Sequence, residues 1–279
     1  MITVTTFRMR QLVLLALLST TFVRPVKAQV VFSNDFQSNT TGFTASGSLT
    51  TLGRTTLPTD NGGLASANQS MWLGLLGSGV AKSGASDEIV TLSLAGLATG
   101  QVYSIAFDLL VGASWDGSAS GFGPDSWRLV VDGTALVNTT FSNGQQGVNV
   151  GAYSPQRYSD ATSTSTTGPD FNRFTGADAF FSLNQNGNYA SDYAIYYFGH
   201  GSGNPNLTFT ATGTTAALSF ARYGQTTDSA DEYWALDNVK ISIVPEPSSL
   251  WLLILGGGLF LASERTRNRR LTVLPEHAL

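Results

Sequence analysis

The amino-acid sequence predicts an all-β fold in which antiparallel sheets form a sandwich, and three observations support this. Short runs of β-branched and aromatic residues alternate with polar residues at a period of two. The chain has 30 glycines and many Ser, Thr and Asn residues, which suit the loops between such strands. Few stretches have the spacing of a helix. We therefore expect one β-sandwich domain over residues 29–243, with a separate segment at each end.

The alternating runs place the first strands. Residues 89–94 and 103–110 alternate strictly and lie close in sequence, which predicts two neighbouring antiparallel strands. Residues 127–131 and 135–137 flank Asp132-Gly133. Because Asp-Gly supplies the positive φ values of a tight turn, this stretch predicts a hairpin.

The second half of the domain predicts another hairpin and the closing strand. Residues 207–212 and 216–222 are two alternating runs separated by a glycine, which favours a hairpin, and residues 234–243 form the last run. Residues 141–203 carry only weak strand patterns and are rich in Tyr and Asn. A connection of this length predicts a folded, loop-rich insertion or lid.

The N-terminal 28 residues have the pattern of a secretory signal peptide. Arg8 and Arg10 precede the apolar run 12–18, and Val26-Lys27-Ala28 offers small residues at the −3 and −1 positions of a cleavage site before Gln29. The alternative is an N-terminal membrane helix that is retained. Ser, Thr and Pro residues interrupt the apolar stretch, so we expect removal.

Residues 244–279 combine a rigid extended motif, an apolar run and a basic end. Pro245-Glu246-Pro247 holds the backbone extended. The apolar run 250–262 would span about 20 Å as a helix, which is shorter than a hydrocarbon core of about 30 Å. The basic residues after it are Arg265, Arg267, Arg269 and Arg270, and the positive-inside rule keeps them on the cytoplasmic side. An ordinary single-span anchor and a core helix are the alternatives.

This C-terminal pattern resembles the PEP-CTERM sorting signal of Gram-negative bacteria that make exopolysaccharide. The resemblance covers about 30 of the 279 residues. It implies that an exosortase, a membrane transpeptidase-like enzyme, cuts near Pro245-Glu246-Pro247 and releases or transfers the domain before it. The short transmembrane helix would hold the precursor in the inner membrane only transiently. The mature protein is then expected at the outer surface or in the extracellular matrix.

The charge and cysteine content exclude several functions. Residues 29–243 contain seven basic and 16 acidic residues, a net charge of −9. Nucleic-acid binding needs phosphate-neutralising Lys and Arg, so an acidic domain without a basic run argues against it. The chain has no cysteine, which excludes disulfides, thiol catalysis and cysteine-ligated metal sites.

The order of the remaining motifs resembles the jelly-roll modules of extracellular proteins, the concanavalin-like and galactose-binding-like domains. The opening residues 32–36 and the closing residues 232–239 are the ends of this match. The resemblance implies that the first and last strands lie together and that carboxylates there hold a structural calcium ion, at Asp35 and Asp237. Calcium takes six to eight oxygen ligands, so backbone carbonyls would have to complete the site. The alternative is that Asp237 caps a turn.

Trp115 and Asp116 are the candidate ligand-binding residues. They lie in a Gly/Ser-rich stretch, and an exposed aromatic ring beside a carboxylate is typical of carbohydrate sites. The alternative is that the indole folds back into the core.

Catalysis has little support in the sequence. His200 is the only histidine within residues 29–243 and lies in a glycine-rich loop, which indicates a surface residue. The acidic doublets Asp87-Glu88 and Asp231-Glu232 are interpreted as solvated turns or metal oxygens. We therefore predict no enzyme but an exported, non-catalytic matrix or surface protein with a candidate role in carbohydrate binding. The alternative is a secreted polysaccharide hydrolase or lyase.

Processing at both ends is the first testable prediction. The mature protein is expected to begin near Gln29 and to lose everything after about Pro247, and replacement of Pro245 or Glu246 is expected to leave an uncleaved, membrane-associated precursor. Intact-mass measurement of the protein recovered from a host with the sorting enzyme checks both cleavages. Full-length protein that still carries Arg265 to Arg270 would contradict the sorting interpretation.

Overall fold

The computed structural model describes residues 28–47, 49, 51–56, 70–76, 88–118, 124–143, 155–159, 166–181, 193–200, 207–223 and 232–245. These residues form an all-β fold of two antiparallel sheets, one of which is curled into a half-barrel. Residues 29–244 make one compact unit. The predicted signal peptide, except Ala28, and the predicted sorting segment beyond Pro245 lie outside the described residues. Within the described ranges, no helix has the length and hydrophobicity needed to cross a membrane.

Thirteen strands make up the described part of the fold. They are β1 (Val30–Asn34), β2 (Phe43–Gly47), β3 (Arg54–Thr56), β4 (Met71–Leu76), β5 (Glu88–Ala95), β6 (Val102–Ala113), β7 (Ser126–Val131), β8 (Thr134–Thr140), β9 (Ala179–Phe181), β10 (Tyr193–Phe198), β11 (Leu207–Thr210), β12 (Thr215–Tyr223) and β13 (Glu232–Ile243).

The larger sheet has the order β3-β4-β13-β6-β10-β9, with β1 also paired to β13 and β11 also paired to β6. The smaller sheet has the order β2-β5-β12-β7-β8. Apolar side chains from both sheets meet in one core. Phe107 of β6 stacks on Phe198 of β10 at 4.7 Å between ring centroids and meets Phe220 of β12 edge-on at 5.3 Å. Aromatic contacts of this kind therefore join the two sheets.

The first and last strands lie together, as the resemblance to jelly-roll modules implies. In the antiparallel pair of β1 and β13, Asn34 lies opposite Val239. The predicted closing strand is also present, and β13 lies in the interior of the larger sheet between β4 and β6.

The predicted hairpin at Asp132-Gly133 is confirmed. It joins β7 to β8, and Asp132 and Gly133 have φ values of 47° and 85°. Two successive positive φ values are the requirement of the turn that fits the twist of a hairpin.

Two other predicted strand pairs are wrong. The strands at 89–94 and 103–110 lie in different sheets as β5 and β6, and the predicted second hairpin is also divided, with β11 in the larger sheet and β12 in the smaller. The two connections cross the sandwich side by side and bind each other. The Leu97 amide donates to the Thr214 carbonyl at 3.0 Å, and the Gly100 amide donates to the Ala211 carbonyl at 2.8 Å.

The segment 141–203 is not a lid in its described part. Its strand β10 pairs with β6 over six residues, and β9 pairs with β10 at the edge of the larger sheet. The expectation that this segment is folded is confirmed for those residues. Its Tyr193–Phe198 run is a strand of the sandwich, with five of its six side chains buried.

Candidate functional site

An open cleft of about 550 Å³ lies where β1 ends beside β13. Its lining is mostly polar, with amide, hydroxyl, carboxylate, imidazole and ammonium groups beside one aromatic ring. The lining residues are Phe32, Ser33, Asn34, Asp35, Ser38, Asn39, Thr41, His200, Asn238, Val239 and Lys240.

The loop from β1 to β2 forms one wall of the cleft, and its own side chains fix its shape. The side-chain oxygen of Asn34 accepts from the Phe36 amide at 2.8 Å, and that of Asn39 accepts from the Thr41 amide at 2.9 Å. Asn side chains stabilise turns in this way. Arg54 donates to the Phe36 carbonyl at 2.8 Å and so ties the loop to β3. The wall is therefore preformed.

An irregularity in β13 forms the opposite wall. The pairing of β13 with β6 shifts between Asp237 and Lys240, and Asn238 takes a left-handed φ of 51°. The Asn238 side chain donates to Asp108 Oδ2 at 2.7 Å. His200 Nε2 lies 2.9 Å from Asp108 Oδ1. The bulge thus turns Asn238 toward a buried carboxylate that also holds the histidine.

Two titrating groups of this wall have shifted pKa values. Burial raises the pKa of Asp237 from 3.8 to about 6, with further contributions from the negative charges of Asp108 and Asp35. The hydrogen bond to Asp108 raises the pKa of His200 above 6.5. His200, predicted as a surface residue, is about one-third exposed and is oriented by a buried partner.

The predicted calcium residues lie near the same end of the fold. Asp35 follows β1 and is close enough for its charge to act on Asp237. The Asp237 carboxylate accepts from the Asn238 amide at 2.7 Å, which is the turn-capping role given above as the alternative. In the described part of the chain these two carboxylates do not gather a third acidic or histidine ligand within metal-binding distance. Calcium at Asp35 and Asp237 stays a prediction.

A second acidic site, unlike the cleft, is buried between the sheets. Asp116, Asp125 and Glu232 each place a carboxylate oxygen within 4.8 Å of the others, and such a cluster could hold a metal ion. The Asp116 amide donates a short hydrogen bond to Asp125 Oδ2. Asp125 and Glu232 are almost wholly buried, and Asp116 is half-buried.

Arg222 lies beside this acidic cluster and connects it to both sheets. Its guanidinium group meets Glu88 of β5 through two nitrogens, at 3.2 and 3.3 Å, and Glu232 of β13 at 2.9 Å. The Trp234 indole of β13 donates to Glu88 at 3.0 Å. Two polar contacts therefore cross the sandwich within one buried network.

The cluster carries more negative than positive charge. Burial raises the pKa of Asp125 well above its usual value, and the neighbouring charge of Glu232 raises it further. A carboxyl group in this position is stabilised by a proton or by a bound cation.

Trp115 is buried completely, so the exposed-ring prediction is wrong and the core alternative holds. Its indole nitrogen donates to the Tyr233 carbonyl at 3.1 Å, which satisfies the polar group inside the core. The ring centre lies 6.0 Å from the Arg222 guanidinium carbon. Asp116, the other predicted ligand-binding residue, joins the acidic cluster instead of presenting a sugar site with an exposed indole.

Arg222 and Asp125 are site residues that the sequence interpretation missed. The solvated-turn interpretation of Glu88 and Glu232 is wrong because both are buried, and the metal-oxygen alternative stays open for Glu232 in the acidic cluster. The alternation along the strands carried a signal for the burial of Glu88 and Arg222. Glu88 is in phase with the inward residues of β5, and Arg222 is in phase with those of β12. The two are also direct cross-strand partners. Opposite charges on inward positions predict a buried ion pair.

The pKa shifts in the cleft predict that acid stabilises the domain. Asp237 takes up its proton at higher pH when folded than when unfolded, so its contribution grows as the pH falls through about 6. His200 contributes fully below its ordinary pKa and loses its contribution as the pH rises through the raised value. In EDTA, the unfolding free energy is expected to fall by about 1 kcal/mol between pH 5 and pH 8.

Urea titrations of the wild type and Asp237→Asn at the two pH values check this expectation. The asparagine keeps an acceptor for the Asn238 amide but does not titrate, so its pH dependence is expected to be flatter. Equal slopes for the two proteins would contradict the assignment of the shift to Asp237.

Comparison with known proteins identifies no family for this chain. No protein-family model and no curated protein matches the chain. Among solved structures, it is similar to the insecticidal delta-endotoxin Cry8Ea1 of Bacillus thuringiensis, with 11% sequence identity over 56% of this chain and a TM-score of 0.26. The match spans 18% of the toxin chain. A likeness at this level carries no argument about function, and the sorting-signal family stays a resemblance of the sequence.

Proposed function

We propose that the protein is an exported component of the cell surface or exopolysaccharide matrix, whose non-catalytic β-sandwich, of jelly-roll type, binds a glycan in the open cleft. The observation that carries the proposal is the composition of that cleft. Phe32 offers an apolar ring, while Asn39, His200 and Lys240 offer groups that pair with hydroxyls. Carbohydrate sites combine an apolar wall with a few placed polar groups.

The geometry of the cleft supports a neutral ligand over an acidic one. Residues 29–243 have a net charge of −9. The lining of the cleft includes Asp35, and the buried Asp108 lies behind His200 of the lining. A negatively charged ligand would therefore be repelled. A neutral polysaccharide with many hydroxyls fits both the charge and the lining.

Delivery to the surface completes the proposal and rests on the sequence. The signal peptide would direct the domain out of the cytoplasm and then be removed. An exosortase-type enzyme would act at Pro245-Glu246-Pro247 while the apolar run 250–262 crosses the inner membrane. Support from the fold is local: β13 ends at Ile243, so a cut near Pro245 leaves the sandwich whole.

We propose calcium as the metal ion that the buried acidic cluster binds. The ligands of the buried cluster are all carboxylate oxygens, and oxygen-only sites suit calcium. Asp35 and Asp237 at the junction of β1 and β13 are the second location, proposed from the sequence. Because the two locations have different ligand residues, substitutions can show which of them binds the ion.

Calcium is expected to raise the melting temperature of the wild-type protein at pH 8, by the equivalent of about 2.7 kcal/mol at a hundredfold excess over Kd. Asp125→Asn is expected to abolish the shift, and Asp237→Asn is expected to keep it. Differential scanning calorimetry with calcium or EDTA measures both. The reverse pattern would move the ion to the junction of β1 and β13, and equal melting temperatures in calcium and EDTA would contradict a bound ion.

Loss of the cleft groups is expected to weaken glycan binding. Lys240→Ala and His200→Ala remove groups that line the cleft, and each is expected to lower affinity by about 1 kcal/mol, the value of one hydrogen bond. Affinity electrophoresis on the host's own polysaccharide measures the retention. Thr134→Ala, on the exposed β7–β8 hairpin, is the matched control. Unchanged retention in both cleft variants would place binding elsewhere.

A secreted hydrolase or lyase is the second candidate, and the pair of His200 and Asp108 favours it. A histidine held at 2.9 Å by a buried carboxylate and facing a cleft has the form of a general acid or base. The test is release of reducing ends or unsaturated products from the host polysaccharide by the wild type and by His200→Ala. Turnover that the variant loses would replace the binding proposal with the enzymatic one.

A further inference from the structure

A second aromatic feature lies at the edge of the larger sheet, on β9. Phe180 is 55% exposed, the highest value for a large hydrophobic side chain among the described residues. Its ring stacks on Phe174 with centroids 4.9 Å apart and planes 11° from parallel. The Phe180 ring therefore packs against Phe174 on one face, while much of the Phe180 side chain is exposed to solvent.

The turn that carries Phe174 is rigid. Phe174 has a φ of 61°, a left-handed conformation that costs free energy in a residue with a bulky side chain. Its amide donates to the Ser142 carbonyl at 3.2 Å, and its carbonyl accepts from the Ala177 amide at 3.0 Å. At Gly176, an added Cβ would lie 2.1 Å from the Ser159 carbonyl oxygen, so the backbone is closely packed there. These contacts hold the strained residue in place.

Polar groups border the stacked rings. The Arg173 guanidinium carbon lies 4.9 Å from the Phe174 ring centre, and its Nη1 donates to the Asn143 carbonyl at 3.0 Å. Together these groups line a shallow hollow of about 370 Å³, formed by Asn172, Arg173, Phe174, Thr175 and Phe180. The hollow therefore offers an aromatic face with amide, guanidinium and hydroxyl groups around it.

We propose that this hollow is a carbohydrate subsite, separate from the cleft, in which one pyranose ring of a neutral polysaccharide stacks on Phe180. The proposal rests on the glycan-binding function proposed above and adds a second contact to it. The apolar C–H face of the sugar covers the phenyl ring, and its hydroxyls meet Asn172, Arg173 and Thr175. Strained backbone at a rigid turn is typical of sites built to hold a ligand.

The size of the feature favours a sugar over a protein partner. Among the described residues, the other exposed large hydrophobics are Val30 and Val31, which lie on β1. A stable protein interface buries more than about 1,000 Å² with a fully apolar centre. One ring and its polar border match a single sugar unit.

The test uses the full chain in mild detergent on native gels that contain hydroxyethylcellulose, glucomannan, galactomannan or dextran. Phe180→Ala is expected to weaken retention by about 5- to 150-fold in Kd, by analogy with the loss of an aromatic ring stacked on a nucleic-acid base. Phe180→Trp is expected to retain binding because the indole keeps a flat face. Val31→Ala, at another exposed hydrophobic position, is the control, and circular dichroism checks that each variant is folded.

The outcomes separate the subsite from the proposed function. Retention that Lys240→Ala weakens and Phe180→Ala leaves unchanged would overturn the subsite and keep glycan binding in the cleft. A wild-type chain that none of the four polysaccharides retards would overturn both. A change in oligomeric state on size-exclusion chromatography for Phe180→Ala, with unchanged retention, would identify the ring as a contact between copies and overturn the subsite.

Discussion

The buried ion-pair network around Arg222 is the constraint on which the sandwich depends. The Arg222 guanidinium group pairs with Glu88 in its own sheet and with Glu232 in the other sheet. The Trp234 indole donates a hydrogen bond to Glu88. Removing one partner from a buried pair typically costs about 3 to 5 kcal/mol, because the remaining charge stays desolvated. The two sheets can therefore approach only in the register that pairs these groups. Apolar packing supplies most of the stability, but the ions fix the arrangement.

The same network sets the chemistry of its surroundings. Trp115 lies against Arg222 and anchors the chain after β6 to the Tyr233 carbonyl. The next residue, Asp116, is thereby brought to Asp125. Burial, together with the neighbouring charge of Glu232, raises the pKa of Asp125. Proton uptake or cation binding is therefore linked to the closure of the sandwich. Fold and candidate metal site share one set of contacts.

The sequence predicted strands well and their partners less well. Alternation is a local property, so it located β5, β6, β7, β12 and β13, and the Asp132-Gly133 turn identified the one hairpin whose geometry is fixed by two residues. Alternation does not state which sheet a strand joins. The strands β5 and β6 separate because their connection binds the one between β11 and β12 across the sandwich, a contact between segments more than 110 residues apart.

Some of the site residues could be predicted from the sequence, and others depend on contacts between distant segments. Asp35 and Asp237 lie near each other because the first and last strands pair, as the resemblance to jelly-roll modules implied. Trp115 was misassigned because the small residues around it say nothing about distant neighbours such as Tyr233. Glu88 and Arg222 were recoverable from strand phase. The stacked rings of Phe174 and Phe180 depend on a left-handed φ at Phe174 itself, which a phenylalanine does not predict.

The position of β13 makes folding of the larger sheet depend on the last strand of the domain. This strand contacts β1, β4 and β6, so the interior of the larger sheet cannot form before the last residues of the domain are available. Strand β1 pairs with a strand that follows it by about 200 residues in the chain. Pairing over such separations has a high contact order and is slow. A chain that lacks residues 232–243 cannot bury the inner face of this sheet. Topology by itself therefore delays folding until the last strand of the domain has been made.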